Sequence, residues 1–397
     1  MARLLAAAGF TLLVGAGACT SNHDLLATQP SSGGSGGALP DAAPDAQGGG
    51  GGVPDAAPDV TEPTGPDRLT LLHGVVDATR IAFCFARVDS GGASLPVGSP
   101  LPAQGLDFAH ATSVPSLQGL DFAKDAIQPI VIAGDLSLVS GKTCDAAIAL
   151  AQQMSAPDAG PDAAVQDAGA DAAPSDAAAD ASTDAKGDAP SDAAVDAPPP
   201  APPPLRAQAL PVLPAGTLTG GRSYLLVAAG CMGAPGFSDS LDQAVCGDGY
   251  APDRPTLTPV VVRMSRITAA ERLGLQAVNA SRATDNLTVQ SGTPPNTTEN
   301  ALRVASELGF GAILPRPPDL DHALVDYGTP IGTVPLEGLS GSTSALSQTW
   351  SDALARGGVS KLENGQTYAI IVVGPRIDIA TPGWWNLPAI SVVPTAP

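Results

Sequence analysis

The sequence predicts an all-β protein with two β-sandwich modules, a short helix in each module, and disordered linkers. Short Val- and Leu-rich segments alternate with Gly and Pro turns, as in a chain built from many short strands. This pattern occurs twice along the chain. The 397 residues include 45 Gly and 40 Pro but only 4% aromatic residues, so long tracts have nothing bulky to bury. One compact domain is therefore excluded.

The negative charge is concentrated in two tracts that we expect to stay unfolded. The formal net charge is −20 at pH 7. Residues 20–66 contain six acidic residues and no Lys or Arg, and residues 156–204 contain ten Asp and one Lys. Nucleic acid and anionic lipid headgroups both require clustered Lys and Arg, and the sequence shows no such cluster. The charge pattern argues against both kinds of partner.

The N-terminus has the charged, apolar and small-residue order of a secretory signal peptide. An apolar run over residues 4–14 is too short to span a bilayer, and small residues then lead to Cys19. This ending resembles the lipobox of bacterial lipoproteins, in which the Cys is acylated and becomes the first mature residue. The resemblance implies a signal peptide over residues 1–19, and Thr20 implies sorting to the outer membrane of a Gram-negative cell. The alternative is ordinary secretion, with Cys19 incidental.

Two segments have the composition of solvated spacers. We expect residues 20–67 to form a disordered tether. The second segment is an acidic insert over residues 155–204, in which 18 Ala, ten Asp and ten Pro leave no apolar core. Repeated Pro interrupts helix, and closely spaced Asp residues repel one another. Calcium binding by these carboxylates is the alternative, but a flexible chain loses entropy in arranging the oxygen ligands.

The second half of the chain aligns with the first, which indicates an internal duplication. Each half contains a strand–turn–strand opening and a helix-like stretch, so we expect one module at 68–266 and another at 267–397. Extra residues in the first copy, chiefly the acidic insert, explain why the offset changes along the chain. Chance similarity between Val- and Leu-rich strands is the alternative. The aligned pairs include Leu69 with Leu275, His73 with Asn279, Cys144 with Trp350, Tyr224 with Tyr368, and Val260 with Ile390.

One predicted strand shows clearly which of its faces is buried. Its residues alternate, with Ile81, Phe83 and Phe85 facing inward and the smaller Ala82 and Cys84 facing outward. A period of two is typical of a half-buried strand.

Short motifs open and close the two copies. These segments are His73-Gly74 with Asp77-Ala78, Asn279-Ala280-Ser281, Leu213-Pro214-Ala215-Gly216, Gly221 to Tyr224, and Gly365 to Tyr368. They resemble domain-of-unknown-function family 4397, a bacterial family often found in tandem in exported proteins. Copies in that family open with a strand ending in His or Asn, and they close with Leu-Pro-Ala-Gly and a Gly-x-x-Tyr strand. The resemblance implies an immunoglobulin-like β-sandwich and implies no activity.

Four cysteines remain once Cys19 is assigned to the anchor, an even number that suits disulfides in an exported chain. Three ways of pairing them are open. We favour Cys231 with Cys246, which closes an extra segment of the first copy. Pairing Cys84 with Cys144 would then tie the helix to the outward face of the second strand. A metal or redox site needs closely spaced Cys and His, which the sequence does not show.

The sequence contains no motif that predicts a catalytic, cofactor or metal site. Residues 33–37 satisfy G-x-S-x-G but lie in the tether, without the strand and helix that hold a nucleophile. His73 aligns with Asn279, which suggests turn capping rather than catalysis. Asp319-Leu320-Asp321-His322, with Asp326 nearby, is a candidate metal cluster, but a polar loop is the simpler interpretation.

Trp384 and Trp385, which follow a Pro-Gly pair, are the best candidates for a ligand-binding surface. Adjacent aromatic residues in a turn can stack on sugar rings or contact another protein. On a strand, neighbouring side chains point to opposite faces, so one of the two would belong to the core. Both interpretations stay open.

Together, these observations predict an exported, membrane-anchored lipoprotein of the outer membrane or cell surface. Its tandem β-sandwich modules would have a non-enzymatic structural or adhesive role, with an envelope protein or glycan as partner. The alternative is a carbohydrate-binding module that uses Trp384 and Trp385. Neither a cofactor nor a nucleic-acid partner is expected.

Overall fold

The computed structural model describes most of the chain between residues 63 and 396, all of it within one compact unit, Asp59–Pro397. The described ranges are 63–155, 204–233, 245–251, 253–268, 270, 272–282, 284–291, 302–317, 324–325, 335–340, 343–375 and 386–396. The chain is mostly β with short helices, so the predicted all-β class is confirmed.

The described part of the first half forms two four-stranded sheets and two helical segments. We call the sheet with strand order β3-β2-β5-β6 outer sheet 1, and the sheet with order β4-β1-β7-β8 inner sheet 1. In chain order the elements are β1 (Arg68–Val75), β2 (Arg80–Val88), β3 (Ser94–Asp107), β4 (Ala111–Val114), β5 (Ala126–Ala133), a 3-10 helix (Leu136–Val139), α1 (Cys144–Ser155), β6 (Arg206–Ala209), β7 (Ser223–Gly230) and β8 (Thr258–Met264).

The described part of the second half forms two sheets and a helix. Inner sheet 2 has the order β12-β9-β16-β17, with β13 also paired to β9, and outer sheet 2 has the order β11-β10-β14-β15. The elements are β9 (Leu273–Ala280), β10 (Leu287–Ser291), β11 (Leu302–Leu308), β12 (Ile313–Leu314), β13 (Leu324–Val325), β14 (Pro335–Ser340), β15 (Thr343–Thr349), α2 (Trp350–Arg356), β16 (Thr367–Val373) and β17 (Ala389–Pro394).

The two inner sheets share an unusual pairing at their centres. β1 runs parallel to β7, and β9 runs parallel to β16, whereas their other described neighbours are antiparallel. The register also agrees with the sequence alignment, because Leu69 lies opposite Tyr224 and Leu275 lies opposite Tyr368. The central strands of the two copies are therefore equivalent.

The last strand of each copy departs from the predicted alignment by one residue. Val227 lies opposite Val260, whereas its counterpart Ile371 lies opposite Ser391. Val260 therefore corresponds to Ser391 rather than to Ile390. A shift of one residue moves every side chain to the other face of a strand, and Ile390 indeed faces the core of its own module while Val260 faces away from it.

Strand β7 and its counterpart β16 each have a tyrosine near the start that makes the same hydrogen bond in both copies. The hydroxyl oxygen of Tyr224 accepts from the backbone N–H of Thr219 at 2.9 Å. In the second copy, the hydroxyl oxygen of Tyr368 accepts from the N–H of Glu363 at 3.1 Å. Each bond spans five residues and ties the preceding loop to the strand.

The four sheets are stacked in layers around three successive apolar cores. One core lies between outer sheet 1 and inner sheet 1, and another lies between inner sheet 2 and outer sheet 2. A third core joins the two inner sheets and contains Leu72, Leu225 and Val227 from the first half with Val278 and Ile371 from the second. The two modules are thus packed face to face, which the sequence did not predict.

The two helices occupy different places, although the alignment superposes Cys144 on Trp350. α1 covers the outer face of outer sheet 1 with Cys144, Ala147 and Ala151. α2 instead places Trp350 and Leu354 in the core between the two sheets of its own module. Both helices have buried residues spaced three or four positions apart, which suits a helix packed on one face, and this spacing does not specify the surface that the helix covers.

The strand β2 has the predicted alternation, and both of its faces are covered. Ile81, Phe83 and Phe85 lie in the core between the first pair of sheets. Ala82 and Cys84 face the opposite way and are buried under α1.

The chain lies close together at the two ends of the acidic insert, whose residues 156–203 lie outside the described residues. The hydroxyl of Ser155, the last residue of α1, is 3.5 Å from the carbonyl oxygen of Leu205. Strand β6 then pairs at once with β5. The residues on either side of the insert are therefore already close together, so the insert does not have to connect distant parts of the fold.

We expect the insert to be removable without loss of the fold. Replacing residues 157–203 by Gly-Ser-Gly should leave both disulfides and the near-UV circular dichroism unchanged. It should raise the free energy of unfolding by up to about 2 kcal/mol, because a shorter loop costs less entropy to close. A Gly-Ser insert of the original length is the matched control, with unchanged stability. Loss of near-UV signal in the short variant would show that the insert is part of the core.

We also expect the two modules to unfold together. Val227→Asp places an uncompensated charge in the core between the inner sheets, at a cost of about 3–5 kcal/mol. All three Trp belong to the second half, so a shift of their fluorescence transition in urea reports coupling from the first module to the second. Val212→Asp, at a position that is 40% exposed, is the control. An unchanged fluorescence midpoint in Val227→Asp contradicts the coupling.

Candidate functional site

The structure describes some of the predicted site residues and not others. Cys19, Trp384 and Trp385 lie outside the described residues. The candidate metal cluster at 319–322, with Asp326, lies outside them as well. The four other cysteines and His73 are described.

Both favoured disulfides are present. Cys84 and Cys144 have a Cα–Cα distance of 5.6 Å, and the bond joins β2 to the first residue of α1 as predicted. Cys231 and Cys246 have a Cα–Cα distance of 5.3 Å and close the extra segment of the first copy. All four residues are buried. Since such bonds persist in oxidising compartments, they indicate an exported protein.

The segment that begins at Cys231 is held against the β1–β2 turn by Asp77. One carboxylate oxygen of Asp77 accepts from the backbone N–H of Met232 at 2.8 Å. Burial raises the pKa of Asp77, while this hydrogen bond and the charge of Arg206 act in the opposite direction. Asp77 thus fixes the residue that follows the disulfide.

His73 and Asn279 perform the same task in the two copies. Nδ1 of His73 accepts from the N–H of Val75 at 3.1 Å. Oδ1 of Asn279 accepts from the N–H of Ser281 at 3.0 Å. The predicted turn-capping role of His73 is therefore confirmed.

The imidazole of His73 is completely buried and has the edge of Phe108 against it, with ring centroids 5.5 Å apart. Burial lowers the pKa of His73 from 6.5 to about 3, although the backbone of Ala78 and the charge of Asp107 act in the opposite direction. Because Nδ1 accepts a hydrogen bond, the ring is neutral and carries its proton on Nε2. A neutral, enclosed ring supports the turn and has no solvent-facing nitrogen for chemistry.

Asn386 anchors the chain just after the tryptophan pair to the first module. Its side-chain nitrogen lies 3.2 Å from the carbonyl oxygen of Val75, 3.0 Å from that of Val76 and 2.6 Å from that of Ala78. Its backbone N–H also donates to Val76, at 3.0 Å. The residue following Trp385 is thus fixed on the β1–β2 turn of the other half of the chain.

Arg266, between the two modules, ties three chain segments together. Its guanidinium donates to the hydroxyl of Ser223 at 2.7 Å, to the carbonyl of Gly221 at 3.0 Å and to the carbonyl of Pro66 at 2.5 Å. Only 3% of the residue is exposed, and burial lowers the pKa of its guanidinium below the usual value. The last residues of the predicted tether are therefore fastened at the entrance to β7.

Sequence reasoning missed the roles of Asn386 and Arg266. No local pattern marks either residue, because their partners are backbone carbonyls more than 40 positions away. Asp77 belongs to the opening motif that resembles family 4397, but the motif did not predict its hydrogen bond to Met232.

Two further properties of the described residues bear on the kind of site that they can form. Within the described ranges, no three His, Cys, Asp or Glu side chains are placed to share a metal ion. None of the helices described here combines the length and apolarity that crossing a bilayer requires.

No protein-family model matches the chain, and no curated protein matches it either. The resemblance to family 4397 therefore stays a prediction.

We expect His73 to make the protein sensitive to acid. Below pH 6.5 the unfolded chain binds a proton at this position that the folded protein excludes until about pH 3, so stability falls as the pH falls through that window. His73→Asn, which installs the residue of the second copy, should remove about 2–3 kcal/mol of the difference between pH 7 and pH 4.

Urea unfolding at the two pH values measures this difference. His23→Asn, in the predicted tether, is the control and should behave like the wild type. Identical pH dependence in His73→Asn and the wild type would show that His73 does not cause the acid sensitivity.

Proposed function

We propose that this protein is an exported lipoprotein, anchored through Cys19, whose paired modules have a non-enzymatic structural or adhesive role at the cell envelope. The observation that carries the proposal is the pair of buried disulfides, because bonds of this kind belong to proteins that leave the cytosol. The leader and its Cys supply the anchor. The proposed location is the outer membrane or cell surface of a Gram-negative bacterium.

The immunoglobulin-like class of the modules is part of the proposal. The hydrogen bonds of Tyr224 and Tyr368 support it, since a tyrosine bonded to backbone a few residues upstream is typical of that class. The parallel central pairs are the feature in which these sheets differ from its antiparallel sheets.

A non-enzymatic role is supported by the bonds that the buried polar groups make. Nδ1 of His73, Oδ1 of Asp77 and the side chains of Asn279 and Arg266 bond to backbone groups or hydroxyls of the protein itself. Their bonds fix turns and segment ends. These side chains thus have structural tasks, which suits a protein that presents a surface to partners at the cell envelope rather than one that catalyses a reaction.

The tether defines how far that body stands from the membrane. Residues 20–67 have the composition of a flexible chain, for which the mean end-to-end distance is roughly 40 Å. The chain enters the folded unit where Arg266 bonds to Pro66. Tension on the anchor would therefore reach the modules beside that bond.

We expect Cys19→Ser to release the protein from the membrane. The anchor supplies the affinity through its acyl chains, at about 0.8 kcal/mol per buried CH2 group. In cells grown with labelled palmitate, the wild type should carry label and sediment with membranes, whereas Cys19→Ser should be unlabelled and remain in the supernatant. Ser21→Ala is the control and should behave like the wild type. A wild-type protein found unlabelled in the supernatant would favour ordinary secretion.

Glycan binding through Trp384 and Trp385 is the second candidate function. One observation favours it: the chain after the pair is fixed by Asn386, and the next residue, Leu387, is 64% exposed. Binding on a glycan array that is lost when both tryptophans become alanine, but kept in Leu387→Ala, would replace the structural role with this one.

A further inference from the structure

We propose that a cleft at one edge of the first module binds a small, uncharged, largely apolar molecule. The cleft has a volume of about 290 Å³ and lies between β3 and the chain that follows β4. Strand β3 is an edge of outer sheet 1, and strand β4 is an edge of inner sheet 1. The proposal uses neither Cys19 nor the tryptophan pair, so it goes beyond the proposed function.

The cleft coincides with an irregular stretch of β3. From Ile81 to Phe85, four positions along β2, the partner on β3 moves from Leu106 to Val97, which is nine positions. An undistorted pair would advance equally on both strands, so the additional residues bulge from the edge. Gly98 and Ser99, within this stretch, have no partner on β2 and line the cleft.

The second module is less distorted at the corresponding place. From Leu287 to Ser291 on β10, the partner on β11 moves only from Leu308 to Leu302. The additional residues in β3 are therefore an elaboration of the first copy rather than a general property of the module.

The lining of the cleft defines the chemistry of its ligand. Phe85 and Leu117, which are 3% and 5% exposed, belong to the core. Leu101 and Val114 are partly buried beside them, and the hydroxyl of Ser116 and the amide of Gln118 stand at the rim. The lining contains no Asp, Glu, Lys, Arg or His. An ion would lose hydration here without a partner charge, whereas an apolar ring with one polar group fits.

The size of the cleft limits the ligand to a small molecule. Its volume equals that of about ten water molecules in the liquid. A peptide added as a further strand is disfavoured, because Pro96, Pro100 and Pro102 leave gaps among the N–H donors of this edge strand. A single ring system beside Phe85 is the occupant that both features allow.

Indole is a suitable probe, since it is uncharged and has one N–H donor. In the full-length protein with labelled Leu and Val methyl groups, indole should cause saturable NMR shifts at Leu101, Val114 and Leu117. Ser116→Trp, which fills the cleft from its rim, should weaken this binding at least tenfold. Ser94→Trp, at the exposed start of β3, should leave it unchanged. Indole-3-acetate should bind at least tenfold more weakly than indole, because the lining offers no cation.

Several results would overturn the proposal. They are shifts that do not saturate, shifts that persist in Ser116→Trp, and equal binding of the charged analogue. The near-UV circular dichroism of both variants shows whether they are folded, and Gln118→Trp replaces Ser116→Trp if the latter is not. None of these results depends on Cys19, so the proposal about the cleft is tested independently of the proposal about the anchor.

Discussion

The fold depends on the burial of both faces of the two inner sheets. Strands β7 and β16 are buried along their whole length, and their side chains alternate between the core of their own module and the core shared by both modules. An antiparallel sheet with one wet face has polar residues at every second position, whereas these strands have apolar ones. Neither inner sheet can therefore face water, and each module needs the other as its cover. The duplication supplies that cover within a single chain.

The polar contacts between the two halves stand around this shared core. Asn386 bonds to the β1–β2 turn, and the hydroxyl of Ser391 bonds to the carbonyl of Ala109. Arg266 occupies the passage between the modules. Apolar burial is not directional, so it holds the two inner sheets together without fixing their relative position. Hydrogen bonds have defined geometry, so these contacts fix the position of one inner sheet relative to the other.

The sequence predicted features that depend on local alternation and missed those that depend on partners. The two faces of β2 follow from the alternation of Phe83 and Cys84, and the favoured Cys84–Cys144 pairing correctly placed the helix on the outward face of this strand. In β7 an unbroken apolar run gives no such information, so the packing of module against module was not predicted. The alignment of Val260 was wrong by one residue for a similar reason. Mostly apolar strands can be aligned at neighbouring offsets with similar agreement.

Two elaborations of the first copy lie away from the shared core. The acidic insert leaves from the end of α1, which covers outer sheet 1, and the cleft lies at the edge of β3. The disulfide Cys231–Cys246 instead packs against Val76 in the β1–β2 turn, to which Asn386 of the second half also bonds. A change in the core between inner sheets alters the packing of both modules at once, because interiors are close-packed. A change on an outer face alters one module only. Specialised roles of this protein are therefore to be sought on the outer surfaces and edges of its first module.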